Sequence, residues 1–77
     1  MERIKEMGNI KYVICRLKGA MSQSTSDIIE GVFFIPDSNI ISYLQQTHCL
    51  IDIRHDESTP DKYNLKLDRH NLSLLLN

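Results

Sequence analysis

Two short alternating segments joined by a polar turn constrain this chain more than anything else in it. In Leu50–Arg54, Ile51 and Ile53 point one way while Asp52 and Arg54 point the other. In the second segment Tyr63, Leu65 and Leu67 alternate with Asn64, Lys66 and Asp68. A period of two is the mark of a strand with one face buried. Between them lies HDESTPD, residues 55–61, with Pro60 suited to a turn. A parallel pair needs a crossover of a dozen residues or more, so this link permits only antiparallel neighbours.

The segment Ile28–Ile35 extends the sheet. Its run Val32-Phe33-Phe34-Ile35 is β-branched and aromatic and is bounded by Pro36. After Pro36 the period changes. Asp37 or Ser38 supplies an N-cap, and Ile40, Ile41 and Leu44 then share one helical face. This predicts a helix over Ser38–His48, too short to persist in water unless it lies on a sheet. Ile10–Lys18 reads as a strand covered on both sides, because Ile10, Tyr12 and Ile14 alternate with Val13, Cys15 and Leu17.

The remaining segments are punctuation and tail. Residues 1–9 are polar and end in the turn-like Gly8-Asn9, which predicts a frayed end or a short helical turn. Residues 19–27, GAMSQSTSD, predict a mobile loop. At the C-terminus Leu72, Leu74 and Leu76 suit a strand, whereas Leu72, Leu75 and Leu76 suit a helix capped by Asn71. The expected fold is α+β in a single domain, residues 1–77. It has an antiparallel sheet of four to five strands and one short helix on one face, in the order β-β-α-β-β with a final strand or helix. No repeat or linker divides it.

Composition sets the scale of the core. Ile, Leu, Val and Phe supply 23 of 77 residues, enough for a globular core. A core of this size stabilises by only about 3–5 kcal/mol, so a second copy of the chain is an expected reinforcement, joined through Ile28–Ile35 or Leu72–Leu76. Cys15 and Cys49 read as small buried hydrophobes in a reducing compartment. The opening MERIKEMGNIKYVICRLKGA lacks the apolar core of a secretory signal, and no run approaches the ~18 apolar residues of a membrane span. These features predict a cytoplasmic protein with no membrane partner. The net charge of -1 conceals +3 over residues 1–18 against -4 over the rest.

Few residues form a chemical constellation. His48, Asp52, His55, Asp56, Asp68 and His70 gather late in the chain, but neither they nor the two cysteines follow a zinc spacing. His48 and Cys49 are neighbours in an extended segment and so diverge, and a chain this small encloses a pocket of ~300 Å³ with difficulty. The sequence therefore predicts no catalytic residue, no metal and no cofactor. It predicts a small regulatory, inhibitory or accessory module that binds a protein partner. The candidate contact residues are Tyr12, Arg16, Phe33, Phe34, Arg54 and Tyr63: aromatic anchors and arginines, the types enriched where interfaces carry their energy. Phe33 and Phe34 must face opposite sides of a strand, which leaves one of them outward if a single face is covered. The alternative is a nucleic-acid-associated module, with Lys11, Tyr12, Arg16 and Lys18 on one strand and Arg54, Lys66, Arg69 and His70 on or near others forming a basic, aromatic sheet face.

Overall fold

The computed structural model describes residues 2–77, with side chains described from Ile10 onward. Three helices pack on one face of a three-stranded antiparallel sheet. In chain order the elements are α1 (Glu2–Ser22), β1 (Ile28–Phe34), α2 (Ser38–Gln46), β2 (Leu50–His55), β3 (Lys62–Asp68) and α3 (Arg69–Leu76). The sheet order is β1-β3-β2. β1 and β2 both run antiparallel to β3, so they are parallel to each other with β3 inserted between them. The connection through α2 spans that gap, which gives a split β-α-β arrangement closed by the β2–β3 hairpin.

This corrects the expected four to five strands with a single helix. Ile10–Lys18 is not a strand but the C-terminal half of α1. Its apolar residues satisfy a second period: Ile10, Val13, Ile14 and Leu17 fall three or four apart on one side of a helix. Val13 and Leu17 are buried, whereas Tyr12 and Cys15 are exposed. The two covered faces suggested by alternation are thus one helical stripe. α1 also runs through Gly8-Asn9 and on to Ser22, so the connection to β1 shortens to residues 23–27. Met1 lies outside the described residues, as do the side chains of the predicted frayed segment 1–9. The C-terminal leucines are helical, and the cap is Asp68 rather than Asn71: the Asp68 carboxylate accepts from the Asn71 N–H at 2.8 Å. Leu72 is fully buried and Leu75 and Leu76 pack against the core, leaving only Leu74 exposed.

α2 begins where expected. The Asp37 carboxylate accepts from the Asn39 N–H at 2.9 Å. The helix ends in a Schellman arrangement, with the Cys49 N–H on the Leu44 carbonyl and the His48 N–H on the Gln45 carbonyl. That ending requires a left-handed residue, and His48 takes the position with φ 61°.

The core lies between sheet and helices. Ile29, Phe33 and Ile35 enter it from β1 and the residue after it, and Leu65 and Leu67 from β3. Val13, Leu17, Leu44 and Leu72 enter from the helices, and Cys49 just ahead of β2. β2 departs from simple alternation. Leu50 pairs with Leu67 but Asp52 pairs with Lys66, so a bulge sits at Ile51. Leu50 and Ile53 therefore take the inward positions and Ile51 is exposed, which corrects the pairing of Ile51 with Ile53 on one face.

Candidate functional site: the bare sheet face and its β1 edge

Helices cover one face of the sheet and leave the other bare. Along β1 the side chains alternate between the two, so Phe33 is 4% exposed in the core and Phe34 47% exposed on the bare face. Ile28 and Val32 share that face and are each nearly half exposed. Large apolar side chains at i, i+4 and i+6 thus form a ridge along one edge strand, interrupted by Glu30.

Beside this ridge the face is charged but balanced. Glu30 lies opposite Lys66, and Lys66 opposite Asp52 on its other side. Arg54 approaches the Asp52 carboxylate at 3.6 Å, with its side chain largely in solvent. Together with Asn64 these four residues line a shallow depression of about 100 Å³. Two acids and two bases at this spacing leave no net field to hold a polyanion. At the hairpin end Asp56 is held below its ordinary carboxylate range. The causes are hydrogen bonds from the Ser58 hydroxyl and N–H first, then Lys62. The distances are 2.6 Å from the Ser58 Oγ, 3.0 Å from its N–H and 3.3 Å from the Lys62 Nζ.

The backbone of β1 adds a second feature. The Arg69 N–H donates to the Asp27 carbonyl and the Ile35 N–H to the Asp61 carbonyl, so odd-numbered β1 residues face β3. By the alternation of an antiparallel ladder, Ile28, Glu30, Val32 and Phe34 turn their N–H and C=O groups to the outer edge. Only the Ile28 N–H is engaged there, by the Ser26 hydroxyl at 3.2 Å. A cleft of about 550 Å³ separates this edge from α1 and is walled by small groups, among them Gly19, Ala20 and Gly31. The β2 edge is different: it is bulged at Ile51 and carries Asp52 and Arg54.

The six contact residues expected from sequence are divided by the fold. Phe34 and Arg54 lie on the bare face. Arg16 lines the α1–β1 cleft, and Tyr12 stands one helical turn before it. Phe33 is core. Tyr63 faces the helix side opposite Phe33, with its ring 5.0 Å from that of His55. Phe34 therefore neighbours Lys62, not Tyr63. The basic, aromatic sheet face pictured in the sequence does not assemble, because Lys11, Tyr12 and Arg16 belong to a helix on the covered side while Arg54 and Lys66 lie on the bare side. Arg69, expected from sequence on the outward basic face, instead joins three segments. Its guanidinium donates to the carbonyls of Ser26 at 2.6 Å, Met21 at 3.0 Å, and Ser24.

Elsewhere the groups that chemistry would need are scattered. Cys49 is fully buried and accepts from the Thr47 hydroxyl at 3.2 Å, whereas Cys15 is exposed, contrary to the expectation that both are buried. Among the described residues no three His, Cys, Asp or Glu side chains converge. The helices do leave an apolar cleft of about 320 Å³ between Ile10, Leu17, Tyr43 and Leu76, larger than the chain length suggested. Among the described residues the one titratable carboxylate at its rim, Asp37, is occupied in capping α2. Among the described helices none is long and apolar enough to cross a membrane. No protein-family model, curated protein or solved structure matches the chain.

Proposed function

We propose that this chain is a non-enzymatic binding module that regulates or assists a protein partner by occupying its surface, and that the contact is the bare sheet face. The observation that carries the reading is the ridge of Ile28, Val32 and Phe34, each nearly half exposed on a strand whose opposite face is core. Apolar side chains grouped on a small surface and bordered by charge are the anatomy of an interface: a desolvated centre with a polar rim. Phe34 is the anchor and Arg54 belongs to the rim. The balanced charge around Lys66 favours a protein over a nucleic acid as the partner.

Replacing Phe34 with p-benzoylphenylalanine in the source cell tests this, with Leu74 on the opposite side as the control position. Light-dependent adducts to another protein chain from position 34, absent from position 74, are expected. Adducts to nucleic acid alone, or none from position 34, refute the reading.

A further inference from the structure

We infer that the outer edge of β1 pairs antiparallel with β1 of a second copy, joining two three-stranded sheets into one of six strands. The inference rests on the protein-binding reading and gives the contact surface its complete form, because the apolar ridge is shared between two chains.

The unused backbone groups are the first reason. Glu30, Val32 and Phe34 present N–H and C=O to the edge with no partner among the described residues. Of the devices that blunt an edge β1 has one, the charge of Glu30. Its seven residues pair with β3 without a bulge and carry no Lys and no Pro. β2, the other edge, has both a bulge and paired charges. One edge is built to refuse a neighbour and the other is not.

The side-chain pattern selects the occupant. In the twofold register centred on Gly31, Ile28 lies opposite Phe34 of the second copy and Glu30 opposite its Val32. The edge residues all fall within β1, and this register forms about six main-chain hydrogen bonds while the two Ile28 N–H groups stay on their Ser26 hydroxyls. Apolar ends meet apolar ends. Each Glu30 is flanked by a valine on one side and by its own Lys66 on the other. Moving the axis one residue toward the N-terminus puts Glu30 against Glu30. Moving it the other way puts Pro36, which has no N–H, opposite Ile28. On the helix side Gly31 meets Gly31 without side chains, and the 550 Å³ cleft gives the second strand room beside α1. Six apolar side chains then form one ridge across the joined bare face.

Sedimentation equilibrium of the full chain over a range reaching high micromolar concentration tests the pairing. The wild type is expected at twice 8.9 kDa. Val32→Glu creates two like-charge pairs with Glu30 by symmetry and weakens the dimer about tenfold or more, whereas Val32→Lys meets Glu30 favourably and leaves it within about threefold. Both variants keep the wild-type circular dichroism, since position 32 is open to solvent opposite Asn64. An intermolecular Hα–Hα contact at Gly31, seen by filtered nuclear Overhauser spectroscopy, fixes the register. A wild-type mass of 8.9 kDa throughout, a dimer indifferent to Val32→Glu, or equal loss in both variants overturns the inference. A monomer that still gives protein adducts from position 34 overturns only the pairing. A dimer whose adducts from position 34 are all to a second copy supports the pairing and overturns only the reading of Phe34 as an anchor for a different protein.

Discussion

Replacing Arg69 with alanine removes a clamp that no other side chain duplicates among the described residues. The guanidinium holds the carbonyl of Met21 in the last turn of α1 and those of Ser24 and Ser26 in the following connection. α1 has no basic residue of its own in that turn. Arg69 therefore supplies, from the start of α3, the positive charge that a helix C-terminus favours. A hydrogen bond from a charged donor contributes roughly 1.5–3 kcal/mol when measured by deletion. The three share one planar group and are partly open to water, so they do not add; the expected loss is about 2 kcal/mol. That is near half of the ~3–5 kcal/mol available to a core of this size. In urea, with a slope of about 1 kcal/mol per molar for a small domain, the midpoint falls by about 2 M. Arg69→Lys keeps the charge but loses the fork, and it recovers less than half of the loss. Urea titration followed by circular dichroism reads all three proteins. A loss below ~0.5 kcal/mol for Arg69→Ala, or full recovery with lysine, refutes the clamp.

Three further outcomes follow from local structure. His48→Gly relieves the left-handed strain at the end of α2, and after the entropy cost of glycine it stabilises by about 0.5 kcal/mol, read as a raised melting temperature; a lowered one contradicts the Schellman ending. Asp56 has a folded pKa below its ordinary value of 3.8, so its contribution is present above that pH and is lost as pH falls through the folded value. The stability gap between wild type and Asp56→Asn should therefore shrink from pH 6 to strong acid, and a constant gap in urea titrations excludes the Ser58–Lys62 cage as its source. Maleimide should label Cys15 in the native protein and Cys49 only after unfolding. Equal labelling in the native state contradicts the burial of Cys49.

How far the fold can be read from sequence depends on the range of the signal. The β2–β3 hairpin and the start of α2 are legible because their determinants lie within a few residues: a polar turn too short for a crossover, and an aspartate whose carboxylate reaches an N–H two residues on. Residues 10–18 are not, because their apolar positions satisfy both a period of two and a period near 3.6. Only the need to cover Ile29, Phe33, Leu65 and Leu67 with a single stripe selects the helix. The candidate site divides in the same way. That Phe33 and Phe34 part to opposite faces follows from strand geometry alone, but which ring is left outside does not.

The sequence by itself determined an α+β chain, its three described strands, its central helix and the antiparallel hairpin, since each rests on patterns among near neighbours along the chain. Only the tertiary structure decided that β3 lies between β1 and β2, that Ile51 bulges, that the N-terminal segment and the C-terminal leucines are helices on one side, and that Phe34 faces outward. These depend on which distant surfaces exclude water together, and burial between residues far apart in sequence leaves no local pattern to read.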